Sequence, residues 1–308
     1  MPGNRRMEKG MKEIHKFLAE HTTEDMSMDE INALLNEHLK EMNAGVAEPA
    51  TEETAETADD LMDLAEDALE DGNEQEALRL ARKALNLEPD NLDVEWFLIQ
   101  REEKEPEGML KRIRMALERG KASLEEQGFF DEDSIGEFWQ IFETRPYLRL
   151  KDQYVVSLAE FGMLRMAVRE AEEIIRLNTQ DNLGVRFTLM HLYAALEDAK
   201  SAEDLLKQYS EHDEGQMMLP LTLLYYKLGD TDKAEKALRR LTRINKETRQ
   251  FIRDVRSDNL DRKLETIRNR GGYSPFTEEE LIMAYSENED VYHSAPLFFR
   301  WLSRTLKM

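Results

Sequence analysis

Small residues recur along this chain at the spacing of a repeated helix pair. Ala167, Ala202 and Ala234 lie 35 and 32 residues apart, which brackets the period of about 34 residues found in helix–turn–helix repeats. A small side chain at the point where two helices cross allows their backbones to approach closely. Runs of alternating β-branched residues are scarce, so strands are not expected. The spacing therefore predicts an all-α array of paired helices.

An earlier segment, from Asp60 to Asn91, has the pattern of one complete repeat, with a turn at residues 71–73. Its apolar and small positions are Leu61, Leu64, Ala65, Ala68, Ala77, Ala81, Ala84 and Pro89. The 56 residues from Leu92 to Tyr147 are too many for one further repeat. We therefore expect a degenerate helix pair there, followed by an extra helix around residues 138–142.

At these positions the chain resembles the tetratricopeptide repeat (TPR) family, over roughly residues 58–91 and 148–248. A second close match to the family's pattern is formed by Tyr225, Gly229, Ala234, Leu238 and Leu241. The resemblance implies a tetratricopeptide-like helix–turn–helix solenoid whose first helices line a concave groove. The chain departs from the pattern because glycine is missing at the eighth position throughout, and the third and fourth repeats lack the final proline.

The array is expected to have an arm before it and a cap after it. Ser27 with Glu30, and Thr277 with Glu280, have the spacing of capping boxes at helix starts. A solenoid needs a cap over the hydrophobic end of its last repeat. The predicted organisation is an N-terminal helical arm over 1–45, an acidic flexible linker over 46–58, a TPR-like array over 59–256 and C-terminal capping helices over 257–308.

The composition of the chain excludes several classes of function. Its 308 residues include 65 Asp and Glu against 42 Lys and Arg, a net charge of −23, which disfavours broad binding to nucleic acid or to an anionic membrane. The absence of cysteine excludes disulfides, thiolate catalysis and cysteine zinc sites. No signal peptide is visible, and the longest uncharged stretch, Gly215 to Tyr226, is too short to span a bilayer. We expect a soluble, cytoplasmic protein.

Motifs that would carry chemistry are incomplete in this sequence. Residues 131–137 have two acids and a glycine at calcium-loop positions, but Ile135 and Phe142 replace two oxygen ligands. We expect instead that Ser134 caps a helix with Glu137. The six histidines lack the helical pair spacing of zinc sites, and no Gly-x-Ser-x-Gly elbow occurs. The expectation is a protein that is not an enzyme and has no cofactor and no metal.

Charge is distributed unevenly along the chain. Between Glu41 and Leu78 there are fourteen acids and no Lys or Arg, whereas residues 236–270 hold twelve bases and five acids. Two interpretations of the acidic run stay open. It is either a solvated linker continued by the outer face of the first repeat, or an arm that docks on 236–270 in the same or a neighbouring chain.

The resemblance also implies which side chains face the groove. The Lys and Asn that clamp a terminal carboxylate in chaperone-binding members are absent here. Arg186 occupies a normally apolar position, which predicts that it pairs with an acid such as Asp181. The candidate partner-binding residues are Arg149, Asp152, Phe187, His191, Tyr226 and Lys227, with Arg145, Tyr147 and Arg186 nearby.

These observations predict a non-enzymatic scaffold or adaptor that binds a peptide or helix of a partner protein in the concave groove. An alternative is an RNA-associated regulatory protein that uses the basic segment 236–270. A further alternative is an enzyme with no recognisable motif. The expected partner is a protein rather than a nucleic acid or a membrane, and self-association through exposed repeat ends is also open.

Overall fold

The computed structural model describes residues 8, 10–11, 14, 17–18, 20–23, 26–44, 51–209, 214–257 and 259–308. Helices dominate these residues, and no β-strand occurs among them. The chain forms two compact units, Met1–Leu150 and Lys151–Met308, which are described separately below. The predicted all-α fold is confirmed.

A capped helix of the first unit begins directly after Ser27. Ser27 N donates to Glu30 Oε2 at 2.9 Å, and Glu30 N donates to Ser27 Oγ at 3.4 Å, which confirms the predicted capping box. The helices of this unit are α1 (Met28–Ala44), α2 (Ala58–Glu70), α3 (Glu74–Leu87), α4 (Leu92–Glu102) and α5 (Pro106–Glu126); a short 3₁₀ helix (Phe142–Thr144) follows, and α6 (Arg145–Glu160) begins here and continues into the second unit.

Helices α2 and α3 form the first predicted repeat. Gly72 in the turn between them has a φ of 76°, a left-handed conformation that favours glycine, and Asn73 Oδ1 accepts from Glu76 N at 3.2 Å to cap α3. Helix α4 packs against both α3 and α5, so the predicted degenerate repeat is a helix pair. Small residues are fully buried where α2 and α3 meet, at Ala65, Ala77, Ala81 and Ala84.

Two predictions for residues 131–144 are wrong. Ser134 does not cap a helix with Glu137, because residues 131–140 form turns in which Ser134 N donates to Asp131 Oδ1 at 2.8 Å. Gly136 has a φ of 101°, which interrupts regular helix geometry. The extra helix is reduced to the 3₁₀ turn of Phe142–Thr144. Apolar residues of this stretch pack in the core, where Phe138 is fully buried.

Part of the predicted acidic linker is held by the first repeat. Glu52 accepts hydrogen bonds from Arg79 Nη1 at 2.9 Å and from Lys83 Nζ at 3.1 Å. These hydrogen bonds, that of Arg79 first, lower the pKa of Glu52 to about 2. Residues 46–50 lie outside the described part of the chain, and docking of the acidic run on 236–270 stays a prediction.

The second unit continues the helix pairs. Helix α8 packs against α7, α9 and α10, and α10 packs against α11. The three alanines whose spacing predicts the repeat period are all fully buried, namely Ala167, Ala202 and Ala234. The helices are α7 (Leu164–Leu177), α8 (Val185–Leu196), α9 (Ala199–Gln208), α10 (Gly215–Lys227), α11 (Thr231–Ile244), α12 (Thr248–Arg256), α13 (Asp261–Arg270), α14 (Glu278–Ser286), α15 (Glu289–His293) and α16 (Phe298–Thr305).

The C-terminal helices pack on the repeats of this second unit. Helix α14 contacts α10, α12 and α13, while α15 contacts α8 and α16 contacts α12. Helix α14 approaches α10 closely at Gly215, where a Cβ atom would lie 2.8 Å from Leu281 Cδ2 and 3.0 Å from Glu280 Oε1. The predicted fold class, a helix–turn–helix array with C-terminal capping helices, is confirmed.

The predicted capping box of Thr277 and Glu280 is not formed. Thr277 precedes α14, but its side chain caps no helical N–H and donates instead to Ser274 O at 2.6 Å. Glu280 is buried and accepts from Phe276 N at 2.7 Å and from Gln216 N at 3.2 Å. The carboxylate therefore joins α14 to α10 rather than capping its own helix.

Candidate functional site

The predicted residues of the first unit lie in an ion-pair cluster at the start of α6. Arg149 Nε donates to Asp93 Oδ1 at 3.0 Å, and Arg149 Nη1 donates to both carboxylate oxygens of Glu8 at 2.9 Å. Burial lowers the pKa of Arg149, but its hydrogen bonds to Asp93 and the charge of Glu8 outweigh burial and raise it. The guanidinium of Arg149 is thus shared between two acids.

Arg145 and Tyr147 surround this cluster. Arg145 Nε donates to Trp139 O at 2.7 Å, and its guanidinium lies 4.2 Å from the Phe142 ring centroid, within the range of a cation–π contact. Tyr147 is buried. A cavity of about 450 Å³ lies here, lined by Tyr147, Leu92, Leu124 and Pro146 among acidic and polar side chains that include Glu8. Arg145, Tyr147 and Arg149 therefore meet in one region.

In the second unit, Arg186 joins the start of α8 to the residues before α10. Its Nη1 donates to Asp181 Oδ2 at 2.7 Å, and its Nη2 donates to Glu214 Oε1 at 2.9 Å. The predicted pairing of Arg186 with Asp181 is confirmed. The guanidinium also lies 4.1 Å from the ring centroid of Phe187, which places that candidate residue under the ion pair.

Asp181 and Asp152 form an electrostatically coupled pair of carboxyl groups. Asp181 caps α8, since its side chain accepts from Val185 N at 2.7 Å and from Arg186 N at 3.1 Å. Burial, opposed by Arg186, raises the pKa of Asp181. Burial and the charge of Asp181 raise the pKa of Asp152 to about 7. Asp152 therefore changes its charge near neutral pH.

His191 lies beneath the C-terminal helices. It is 1% exposed, its Nδ1 lies 2.8 Å from Phe187 O, and its Nε2 lies 2.9 Å from Tyr292 Oη. A carbonyl oxygen only accepts, so Nδ1 carries the proton, and in the neutral ring Nε2 accepts from the Tyr292 hydroxyl. Burial lowers the pKa of His191 to about 4, which keeps the ring neutral above that pH.

Tyr226 and Lys227 lie at the end of α10. The Tyr226 ring centroid is 5.4 Å from that of Phe298 and 5.3 Å from that of Trp301. Lys227 Nζ donates to Ala194 O at 3.0 Å, at the C-terminal end of α8. A cation at this position neutralises helix carbonyls that have no partner within the helix.

A cleft of about 510 Å³ opens beside these two residues. Lys227 Nζ also lies 3.5 Å from a carboxylate oxygen of Glu197, so these two charged groups of the cleft pair with each other. Tyr226 and Trp301 are each partly exposed there. The cleft is lined by Glu197, Tyr226, Lys227, Gly229, Thr231, Ala234, Ser294, Ala295 and Trp301.

The candidate residues of the second unit therefore have different surroundings. His191 and Tyr226 contact the C-terminal helices, Phe187 packs under Arg186, and Lys227 holds the end of α8. A binding role for these side chains stays a prediction. The structure adds residues that the sequence analysis did not select, namely Tyr292, Phe298 and Trp301. A usable signal existed, since five aromatic residues fall within positions 285–301 of a chain that is 8% aromatic.

No family model and no curated protein matches the chain. Among solved structures, the chain is similar to a thermophilic TPR protein of Thermus thermophilus, with 19% sequence identity and a TM-score of 0.33. The match covers 61% of this chain and 91% of that protein. No helix within the described residues has the length and apolar character needed to cross a membrane.

Proposed function

We propose that this chain is a non-catalytic protein-interaction module that binds a peptide or helix of a partner protein at the cleft beside α10 and α16. The observation that carries the proposal is the pair of partly exposed rings at the cleft, Tyr226 and Trp301, both in ring contact with buried Phe298. Energetic hot spots of protein interfaces are enriched in Trp and Tyr. Because Phe298 already orders both rings, binding costs little side-chain entropy.

The chemistry of the cleft indicates what kind of side chain it accepts. Lys227 Nζ is occupied by the carbonyls of Ala194 and Ala195 at 3.0 and 3.2 Å and lies close to Glu197. A charged group brought into the cleft would compete with these contacts. An apolar or aromatic anchor side chain, inserted against the exposed rings, removes apolar surface from water without disturbing them. A volume of about 510 Å³ is sufficient for such an anchor.

The predicted groove and the cleft overlap in part. Tyr226 and Lys227 line the cleft, while His191 is enclosed by Tyr292 of α15. We propose that the C-terminal helices cover the middle of α8, so that a partner cannot bind there. The end of α10 stays accessible to a partner. The partner then contacts the edge of the helical array, where repeat residues and capping residues lie together.

Site-specific photo-crosslinking tests the proposal with the full chain. A benzophenone amino acid replaces Thr231 or Ser294, two exposed residues that line the cleft. The matched control places it at Lys111, which is exposed on α5. We expect the same protein to be crosslinked in a native lysate from both cleft positions and not from the control. Equal labelling from all three positions, or none from the cleft, would overturn the proposal.

Two alanine substitutions test the cleft independently of the position of the crosslinker. Tyr226→Ala removes one wall of the cleft, and Leu87→Ala removes a side chain that is 50% exposed in the first unit. We expect Tyr226→Ala to abolish the crosslink from Ser294 and Leu87→Ala to leave it unchanged. Far-UV circular dichroism must show the same helix content for both variants. A folded Tyr226→Ala variant with undiminished crosslinking contradicts the assignment.

A further inference from the structure

Two consecutive helices of the second unit carry basic residues at the same helical spacing. On each helix the three positions are i, i+4 and i+7, which places them along one side over roughly 10 Å at 1.5 Å per residue. Lys246, which is exposed, lies between the two helices. The positions are Lys236, Arg240 and Arg243 on α11, and Arg249, Arg253 and Arg256 on α12.

Most of these bases form no ion pair with a described acidic side chain. Among the described residues, no carboxylate lies within 4 Å of Lys236, Arg243 or Lys246. Arg249 Nη1 donates to a backbone carbonyl, that of Leu306, at 2.8 Å. Two more donate to neutral side chains: Arg253 Nη2 to Gln250 Oε1 at 2.9 Å and Arg256 Nη1 to Ser303 Oγ at 3.0 Å. Neutral acceptors orient these guanidinium groups without neutralising their charge.

Other exposed bases of the same unit are matched by acids. Lys233 Nζ lies 2.8 Å from Glu203, and Arg239 Nη1 lies 3.1 Å from Glu235. Residues 236–256 contain eight bases and two acids. One of those acids, Asp254, is 5% exposed and is held by Lys263 of α13 at 2.6 Å. The surface of α11 and α12 is thus strongly basic on a chain whose net charge is −23.

We infer that this basic surface, comprising Lys236, Arg243, Lys246, Arg249, Arg253 and Arg256, docks an acidic helical segment of a partner protein. A helix with carboxylates at i, i+4 and i+7 presents them at the spacing of the bases. The planar guanidinium binds a carboxylate through two parallel hydrogen bonds, which selects orientation as well as charge. The first unit shows that such segments occur, because Asp63, Asp67 and Glu70 of α2 have this spacing.

The same surface is poorly suited to RNA. Sequence-tolerant RNA binding relies on exposed aromatic side chains on which bases stack. The aromatic residue of α11 and α12 is Phe251, which is fully buried. A long polyanion would also meet the negative charge of the rest of the chain, whereas a short acidic helix feels mainly the bases within about one Debye length of 8 Å.

Fluorescence anisotropy with a labelled acidic peptide tests the inference. The probe is a synthetic peptide of residues 51–70, which has nine acids and no base, and the comparison probe is a single-stranded RNA with nine phosphates. We expect the full chain to bind the peptide more tightly than the RNA, and affinity to fall about tenfold between 50 and 200 mM salt. Tighter binding of the RNA by the same surface would overturn the inference.

Charge reversal identifies the surface. The triple variant Lys236→Glu/Arg243→Glu/Lys246→Glu should weaken peptide binding at least tenfold, because three exposed ion pairs of about 0.5 kcal/mol each become repulsive. The matched triple Lys104→Glu/Lys111→Glu/Arg165→Glu changes net charge equally at exposed residues elsewhere and should have little effect. Equal loss in both variants would show that only net charge matters and would overturn the inference.

Two further measurements distinguish binding at the basic surface from binding at the cleft and from self-association. Tyr226→Ala alters the cleft and should leave peptide binding intact, so failure of the proposed cleft does not remove this surface. Sedimentation velocity of the unlabelled chain at low salt should show a monomer. Salt-sensitive self-association that the triple variant abolishes would assign the surface to a second copy and contradict a foreign partner. Circular dichroism confirms that every variant is folded.

Discussion

The neighbouring carboxyl groups of Asp152 and Asp181 predict that the free energy of unfolding decreases as pH rises towards neutral. Asp152 lies on α6 with its pKa raised to about 7 by burial and by the charge of Asp181. Asp152→Asn replaces the carboxyl group by a neutral amide of nearly the same shape. The variant should therefore match the wild-type stability below about pH 3.8, where the carboxyl group is protonated in both the folded and the unfolded chain, and exceed it increasingly as pH rises to about 7.

The size and sign of the effect follow from proton binding. An unfolded chain releases the Asp152 proton near pH 3.8, whereas the folded protein retains it up to about pH 7. Between these values the folded state binds more protons, so the contribution of this group to stability is present at low pH and is lost as pH rises through 7. A difference of about 3 pH units at 1.36 kcal/mol each gives at most about 4 kcal/mol.

Urea unfolding followed by far-UV circular dichroism at pH 4 to 8 measures this difference. The unfolding free energy of Asp152→Asn minus that of the wild type should be near zero at pH 4 and should rise towards about 4 kcal/mol at pH 8. The control Glu160→Gln changes an exposed carboxyl group on the same helix and should give no such rise. A difference that is constant with pH would refute the reasoning.

Three other substitutions test separate contacts. Tyr292→Phe leaves His191 Nε2 buried without its donor and should lower the unfolding free energy by about 1–3 kcal/mol in thermal denaturation; an unchanged melting temperature would contradict the pairing. Gly229→Ala, at a φ of 73° in open space, should cost about 1–2 kcal/mol in urea through backbone strain alone. Arg186→Ala removes the guanidinium partner of the buried Asp181 carboxylate and should lower the unfolding free energy by about 3 kcal/mol or more. Arg186→Lys should recover only part of this loss because lysine lacks the guanidinium fork.

The helix pairs could be predicted from sequence because their signal is local. Ala167, Ala202 and Ala234 mark helix crossings by their spacing alone, and all three are buried as expected. The capping box of Thr277 and Glu280 failed because a pattern of four residues does not reveal a competitor. Gln216, 64 residues away in sequence, offers its N–H to the Glu280 carboxylate instead.

The surroundings of the candidate site could be predicted only in part. The pairing of Arg186 with Asp181 spans five residues and followed from a charge at an apolar position. The contact between His191 and Tyr292 joins residues that are 101 positions apart in sequence. The spacing of residues along the chain does not predict such a contact. The aromatic density of the C-terminal segment could have singled out that segment, but not the helices against which it packs. Tertiary packing decides which repeat positions stay exposed.

The environment of His191 directly tests whether the C-terminal helices cover α8 and leave the cleft accessible at its edge. Long-range ¹H–¹⁵N correlation spectra of the histidine rings, assigned with His191→Gln, report tautomer and protonation at each pH. We expect a neutral ring with its proton on Nδ1 that stays uncharged down to about pH 4, and a shifted Nε2 resonance in Tyr292→Phe. A ring that takes up a proton near pH 6.5, the ordinary value, and whose resonances do not change with the Tyr292 substitution would show that the C-terminal helices do not enclose His191.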